Sequence, residues 1–330
     1  MPNVTIVMPT YRRPDLLANA IESVLAQTHR DFVLFIGDNS PDDASEQVAL
    51  GYGDPRIVYR RNEVNLGSQG NWLALIRDAT TPLVATLHDD DAWHPDFLES
   101  LVPLMVDDPT IAMAFSDFDV VDGNGNPLVD LTEQLSHRTH RDRLPEGRHE
   151  PSLDEALRLS AVWNTPQPEL AAVVRRDEVM ATDFPEDTAW ACDLWLTYNM
   201  LVRGCAVWYV RRRLVDYRWH GGSLTSSSAS LSQAEDLVFE RILANHPTAG
   251  PVLDEVRAYW ADLRWGRAVE GIDAGVAGPE IRRQLAAASP ALPPMRRLMA
   301  TVGGSSSAGL ALFRAVRSLE SAVTRRVAPV

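Results

Sequence analysis

Continuous apolar runs that alternate with helical patterns are the feature that most constrains the fold of this chain. Val4–Met8, Phe32–Ile36, Leu83–Leu87 and Ile111–Phe115 are almost wholly apolar or β-branched, as strands buried on both faces are. After the first run, Pro14 stands at a favourable first helical position, and an apolar stripe follows at helical spacing. This alternation predicts an α/β fold, in which a mostly parallel sheet is the middle layer of an α/β/α arrangement.

The second half of the chain breaks this alternation. The stretch 132–151 is polar and rich in His and Arg, which predicts a mobile loop. Helical patterns dominate 231–287, and the Gly- and Ser-rich stretch 301–309 predicts a flexible linker. Residues 312–327 follow a basic amphipathic pattern, which fits a packing helix, a homodimer contact through the C-terminal helices, or a peripheral helix on an anionic membrane.

All 31 cationic side chains are arginines, and this excludes several chemistries. Without lysine the chain forms no P-loop, no pyridoxal phosphate Schiff base and no protein-kinase site. The formal net charge of −14 argues against nucleic-acid binding. The chain shows no signal-peptide pattern and no apolar run of transmembrane length, and its two cysteines fit reduced core residues. We therefore expect a cytoplasmic protein, either free or associated with the cytoplasmic face of a membrane.

Polar side chains follow three of the predicted strands, where ligands bind in open α/β sheets. The first strand ends in Pro9-Thr10-Tyr11-Arg12-Arg13, the second in Asp38-Asn39-Ser40, and a later one in His88-Asp89-Asp90-Asp91. Carboxylates crowded at one strand end repel each other unless they share a cation, and such oxygen ligands suit Mn²⁺ or Mg²⁺. A phosphoreceiver domain also clusters acids in this way, but it needs a lysine that this chain lacks.

Four motifs follow one another along the chain: Thr5–Tyr11, Gly37–Asp43, Asn65-Leu66-Gly67 with Asn71, and His88–Trp93. In this order and spacing they resemble the family-two glycosyltransferases of GT-A fold. The resemblance covers about residues 3–225. It implies a GT-A domain over 1–225, with a nucleotide-sugar half near 1–120, an acceptor half near 121–225, and a helical C-terminal extension over 226–330.

The resemblance also implies a nucleotide site and a metal site. The residues that it places at the nucleotide are Pro9, Thr10, Tyr11, Arg13, Asp38, Asn65, Gly67, Asn71, Asp89 and His220. Among these, Asp38 matches the acid that binds the imide of uracil or thymine. Asp90 matches the main metal ligand, with Asp91 as its partner. Since His88 stands where the family has its first acid, the choice of two ligands among Asp89, Asp90 and Asp91 stays open.

The family's catalytic base matches Asp193, with Asp187 as the rival position. Cys192 replaces the glutamate that usually precedes this base. The resemblance implies a metal-dependent inverting transfer from a UDP or dTDP sugar to a saccharide, a lipid-linked carrier or a natural product, with 132–151 as an acceptor lid. Because His88 and Cys192 depart from the family pattern, a non-catalytic sugar-nucleotide binder is the alternative. The donor sugar and the acceptor stay open, as does GDP as the nucleotide.

Overall fold

The computed structural model describes residues 3–186, 191–220, 228–247, 250–273, 276 and 278–315. The chain divides into two compact units, Met1–Asn245 and His246–Val330. The domain bounds expected from the sequence, 1–225 and 226–330, stay a prediction. Asp187 and the greater part of the basic stretch 312–327 lie outside the described residues, so the structure does not bear on either prediction.

A single nine-stranded sheet forms the centre of the first unit. Its strands are β1 (Val4–Thr10), β2 (Phe32–Asp38), β3 (Ile57–Arg61), β4 (Leu83–Thr86), β5 (Ala92–Trp93), β6 (Ile111–Val121), β7 (Gly147–His149), β8 (Ala172–Arg175) and β9 (Ala206–Arg218). The order is β3-β2-β1-β4-β8-β6-β9-β5, and β7 pairs with β9. Neighbours from β3 to β4 are parallel, and β8 is antiparallel to both β4 and β6.

The helices of the first unit lie between these strands along the chain, except α9, which follows β9. They are α1 (Pro14–Leu25), α2 (Ala44–Gly51), α3 (Gly67–Asp78), α4 (Phe97–Asp107), α5 (Val129–Arg138), α6 (Leu153–Leu157), α7 (Arg176–Met180), α8 (Cys192–Val202) and α9 (Ser228–Asn245). A π-helical turn, Arg158–Val162, continues α6. The second unit contains α10 (Pro251–Asp273), α11 (Gly278–Ala288), a 3₁₀ turn (Ser289–Ala291) and α12 (Pro294–Ser305).

The side chains of β1 show why the sheet is covered on both faces. Ile6 and Met8 pack into one core with residues of α1 and α4. Val7 points to the opposite face and joins a second core with residues of α3 and α8. Alternate residues of a strand point to opposite faces, so an apolar run requires a helical layer on each side. The three-layer α/β/α fold predicted from the sequence is confirmed.

The prediction of a mobile loop over 132–151 is wrong. This stretch contains most of α5 and all of β7, which pairs with β9. Thr132 and Leu135 are buried on one side of α5, and the hydroxyl of Thr132 accepts a hydrogen bond from the Val120 amide at 2.8 Å. Arg141 is wholly buried as well. The polar composition misled the prediction because a few buried positions suffice to hold a mainly polar segment in place.

The prediction of a flexible linker over 301–309 is also wrong for the residues of α12. A Cβ on Gly303 would lie 2.7 Å from Leu285 Cδ1, and one on Gly304 would lie 2.8 Å from the Ala286 nitrogen. These glycines therefore allow α12 to pack closely on α11, and they are not a sign of mobility. Among the described residues, no helix combines the length and the apolarity that crossing a membrane requires.

Candidate active site

The carboxyl ends of β1, β2 and β4 bring the predicted polar residues to one edge of the sheet. Thr10, the last residue of β1, pairs in register with Asp38, the last residue of β2. The acids that follow β4 lie beside them, since β1 also pairs with β4 in parallel. The hydroxyl of Thr10 donates a hydrogen bond to Asp89 Oδ2 at 2.7 Å. Strand direction thus brings together the polar residues that the sequence places at these strand ends, and their role as a site stays a prediction.

Arg13 neutralises part of the acidic cluster. Its Nη1 lies 3.1 Å from Asp89 Oδ1 and 2.6 Å from Asp90 Oδ2. Burial and the charge of Asp90 raise the pKa of Asp89, although Thr10 and Arg13 act in the opposite direction. Asp89 therefore accepts hydrogen bonds from Thr10 and Arg13, at or just beyond the end of β1. Asp90 also contacts His220, whose Nε2 lies 3.1 Å from Asp90 Oδ2.

Asp91 is the most buried acid of the cluster. It is 2% exposed, and its Oδ1 accepts a hydrogen bond from the Arg218 amide at 2.8 Å. Burial and the charge of Asp90 raise the pKa of Asp91 to about 7, although His88 lowers it. Burial is thus the larger cause of the raised pKa of both Asp89 and Asp91, and the negative charge of Asp90 between them adds to it.

The cluster fits a divalent cation. His88, Asp90 and Asp91 each present a ligand atom, and these atoms lie within 4.8 Å of one another. Carboxylate oxygens suit Mg²⁺ and Mn²⁺, and a bound cation would relieve the repulsion that raises the pKa of Asp91. Asp90 and Asp91 belong to this group, whereas both carboxylate oxygens of Asp89 already accept hydrogen bonds from Thr10 and Arg13. Although Arg13 also contacts Asp90, this grouping favours Asp90 and Asp91 as the ligand pair.

An open cleft of about 610 Å³ lies beside Asp38. Its lining residues are Ser40, Pro41, Glu46, Tyr59, Arg61, Asn62 and Glu63. Asp38 itself is fully buried, and it accepts hydrogen bonds from the Ser40 amide and the Tyr59 hydroxyl, both at 2.7 Å. Asp38 therefore holds two residues of the cleft wall in place. Tyr59, which lies on β3, was not among the residues predicted at the site.

A network of amides supports the loop before α3. Asn71 is buried, donates to the Gly37 carbonyl at 2.7 Å and accepts from Asn62 Nδ2 at 2.9 Å. A Cβ on Gly37 would lie 2.5 Å from Asn71 Oδ1, so the close approach requires glycine. Asn71, which lies in α3, thus holds this helix against Gly37 of β2. Asn62 was not predicted at the site, although its position directly after β3 was an available signal.

The remaining residues predicted at the nucleotide lie closer to solvent. Asn65 Oδ1 accepts a hydrogen bond from the Gly67 amide at 2.8 Å, and Gly67 adopts a φ of 72° that suits glycine. Pro9 lies within β1, and Tyr11, just beyond it, is 43% exposed. The chain bends after Tyr11 because Arg12 has a φ of 56°, and this bend points Arg13 back towards the acids.

Asp193 lies in the first turn of α8. Its Oδ1 accepts a hydrogen bond from the Leu194 amide at 2.6 Å. Burial, followed by the negative charge of Glu169, raises the pKa of Asp193 to about 7. A carboxyl group with a pKa near neutrality suits a general base, because it is available as the carboxylate and still accepts a proton well.

Glu169 is the main residue that the sequence analysis did not find. Its Oε1 accepts a hydrogen bond from the Cys192 thiol at 2.8 Å, and its Oε2 lies 3.7 Å from His88 Nε2. Burial lowers the pKa of His88, but the carboxylates of Glu169 and Asp91 outweigh it and raise the pKa to about 9. Glu169 thereby links the start of α8 to the acids that follow β4. The only local signal was an acid directly after Pro168.

Comparisons with known proteins agree with this architecture. Residues 5–160 match the model of the family described as glycosyl transferase family 2. An uncharacterized glycosyltransferase of Nostoc sp. is 26% identical over 243 residues, which are 71% of this chain and 70% of the relative. The UDP-Glc:alpha-D-GlcNAc-diphosphoundecaprenol beta-1,3-glucosyltransferase of Escherichia coli is 27% identical over 121 residues, 37% of this chain and 47% of the relative. The second match thus spans about half the length of that enzyme.

Two solved structures share the fold. TarS 1-349 of S. aureus, in complex with UDP-GlcNAc, has a TM-score of 0.62 at 16% identity and covers 90% of this chain and 83% of its own. A mannosyltransferase of Pyrobaculum calidifontis, in complex with GDP-Man and Mn²⁺, has a TM-score of 0.56 at 16% identity and covers 96% of this chain and 87% of its own. At this identity the likeness establishes the fold.

Proposed function

We propose that the chain, whose residues 5–160 match the glycosyl transferase family 2 model, transfers a sugar from a nucleotide-diphosphate sugar to an acceptor hydroxyl or amine with inversion. The observation that carries this proposal is that three groups with distinct roles meet at one sheet edge. These groups are the cleft beside Asp38, the acids Asp89–Asp91, and Asp193, which Glu169 and Cys192 connect to His88. A non-catalytic binder would need the first two alone.

The nucleobase occupies the cleft beside Asp38 in this proposal. The Tyr59 hydroxyl and the Ser40 amide are held by Asp38, so the cleft wall is already ordered before a ligand binds. Preorganised polar groups lower the entropic cost of binding. We propose a uracil or thymine base, with Tyr11 and the loop of Asn65 and Gly67 beside the ribose and the diphosphate.

The diphosphate then lies over the acidic cluster. Asp90 and Asp91 would hold Mn²⁺ or Mg²⁺, which supplies Lewis-acid stabilisation to a diphosphate leaving group. Arg13 holds Asp89 and Asp90 in place from the β1 end, and His220 contacts Asp90 from the end of β9. With no lysine in the chain, arginine and histidine are the protein cations available to the phosphates.

Asp193 acts as the general base in this mechanism. It removes the proton from the acceptor as the acceptor oxygen or nitrogen attacks the anomeric carbon, on the face opposite the nucleotide diphosphate. One displacement from the opposite face inverts the configuration at that carbon. The pKa of about 7 leaves about half of the Asp193 groups ionised at neutral pH.

The acceptor is a saccharide, a lipid-linked carrier or a natural product. We favour a lipid-linked saccharide among these, because the name of the E. coli relative specifies a diphosphoundecaprenol acceptor. In this proposal the acceptor half contributes α5 and β7, an ordered surface in place of the lid expected from the sequence. Homodimer formation and peripheral membrane contact stay predictions.

Thermal stabilisation by a panel of nucleotide diphosphates and their sugars, with and without Mn²⁺, tests the donor and the metal together. Release of the nucleotide diphosphate in the presence of acceptor tests turnover. Asp193→Asn should abolish transfer while it leaves nucleotide binding nearly intact, and Asp183→Asn, which alters an exposed acid before α8, is the matched control. Loss of nucleotide binding in Asp193→Asn, or wild-type turnover in that variant, would contradict the assignment.

A further inference from the structure

The position of Glu169 follows from the topology of the sheet. Strand β8 runs antiparallel to β4, so the residues that precede β8 lie beside the carboxyl end of β4. The Gln167 carbonyl accepts hydrogen bonds from the amides of Leu170 and Ala171 at 3.0 and 3.1 Å, and this turn places Glu169 at that edge. Glu169 therefore lies next to the acids that follow β4, although it is distant from them in the sequence.

Each carboxylate oxygen of Glu169 contacts a residue from another part of the fold. Oε1 accepts a hydrogen bond from the Cys192 thiol of α8, and Oε2 forms an ion pair with His88. The side chain of Glu169 is 14% exposed. Burial, followed by the charge of Glu169, raises the pKa of the Cys192 thiol well above its usual value, so the thiol stays protonated and donates. Cys192 is 1% exposed, and these contacts attach the first turn of α8 to the edge of the sheet.

Burying a carboxylate close to other carboxylates costs free energy, and such groups are concentrated at functional sites. The groups that face Asp193 are Glu169, from the turn before β8, and His88, from the loop after β4. They carry opposite charges and act on Asp193 in opposite directions, with the effect of Glu169 the larger. Glu169 thus makes Asp193 a stronger base than burial alone would, and it does so without a direct hydrogen bond to it.

We infer that Glu169 is a positioning residue of the transfer reaction. Its hydrogen bond with the Cys192 thiol and its ion pair with His88 hold the first turn of α8, and with it Asp193, against the acids that follow β4. This inference rests on the proposed function, since it assigns the base to Asp193. It also accounts for Cys192, which stands directly before Asp193 where the family usually has a glutamate. Here the carboxylate at this place is that of Glu169, and the Cys192 thiol donates a hydrogen bond to it.

Two substitutions separate the charge of Glu169 from its hydrogen bond. Glu169→Gln keeps an acceptor for the thiol and removes the charge, so kcat should fall roughly tenfold with little change in the donor KM. The acid limb of the pH profile should move to lower pH, because the pKa of Asp193 decreases. Cys192→Ala removes the donor and should lower kcat by a similar factor. Cys192→Ser keeps a donor and should retain activity within about threefold.

The chain offers a matched control at the other end of α8. There the Cys205 thiol donates to Glu178 Oε2 at 3.4 Å, and Glu178 pairs with Arg203 at 2.8 Å. Glu178→Gln removes a comparable thiol–carboxylate contact, and it should leave both kcat and the pH profile unchanged. Equal losses in Glu178→Gln and Glu169→Gln would mean that stability alone is affected and would overturn the inference.

A titration of the Asp193 carboxyl by ¹³C NMR separates this inference from the proposed function. The resonance is assigned by its loss in Asp193→Asn, and no turnover is needed. A pKa in Glu169→Gln that is lower than in the wild-type chain supports the inference even if no donor is consumed. An unchanged pKa together with wild-type kcat in Glu169→Gln would overturn it, whatever the donor proves to be.

Discussion

Substitution of Arg13 by methionine tests whether the acidic cluster is short of positive charge. Arg13 contacts two carboxylates of the cluster, Asp89 at 3.1 Å and Asp90 at 2.6 Å. Methionine keeps much of the length and the apolar stem of arginine but leaves both acids without this cation. The variant should therefore lose stability in the absence of metal, and it should gain more than the wild-type chain when Mn²⁺ is added.

The geometry sets the size of the effect. A pair of unit charges about 3 Å apart gives roughly 5 kcal/mol at an effective dielectric constant of about 20, before desolvation is counted. Removing one partner of a buried pair costs about 3–5 kcal/mol. Since the Arg13 side chain is 24% exposed, solvent screening reduces our expectation to about 2 kcal/mol. For a unit of this size, that loss corresponds to about 4–8 °C in Tm.

The assay is thermal unfolding in EDTA and in Mn²⁺, with Arg12→Met as the control. Arg12 is exposed, and its guanidinium lies 5.2 Å from the centre of the Tyr11 ring. A cation present at about 100 times its Kd stabilises by about 2.7 kcal/mol, which would recover the loss in Arg13→Met. A Tm equal to that of the wild-type chain in EDTA, or an equal loss in Arg12→Met, would refute the reasoning.

Three further outcomes follow from the same site. Gly37→Ala should lower the free energy of unfolding in urea by about 1–3 kcal/mol, because the new Cβ would lie 2.5 Å from Asn71 Oδ1. Gly51→Ala has open space around its Cβ and should lower it by nothing. Equal losses in the two variants would contradict this reasoning. Because transfer needs the Asp193 carboxylate, whose pKa is about 7, kcat should fall about tenfold per pH unit below pH 6, and a flat profile down to pH 5 would exclude Asp193 as the base. Tyr59→Phe leaves a buried oxygen of Asp38 without its 2.7 Å hydrogen bond, so urea unfolding should show a loss of about 1–3 kcal/mol in stability. Because the cleft wall is then less ordered, calorimetry should also show weaker UDP binding, and unchanged binding would place the base elsewhere.

The fold was accessible from the sequence wherever local pattern determines it. The apolar runs of β1, β2, β4 and β6 predicted strands at the observed places, since a strand buried on both faces must be apolar throughout. The stretch 132–151 and the glycines of α12 were misjudged for the opposite reason. There a few buried contacts, such as Thr132 with Val120 and Gly303 with Leu285, decide the structure, and composition does not reveal them.

The candidate site divides in the same way. The sequence by itself determined that Thr10, Asp38 and the acids Asp89–Asp91 meet at one edge, because parallel strands end on the same side of a sheet. Only the tertiary structure decided that Arg13 faces both Asp89 and Asp90, how deeply Asp38 is buried, and that Glu169 lies beside Cys192. The position of Glu169 depends on the antiparallel pairing of β8 and on the packing of α8. Pairing and packing of this kind join distant parts of the chain, and local periodicity carries no information about them.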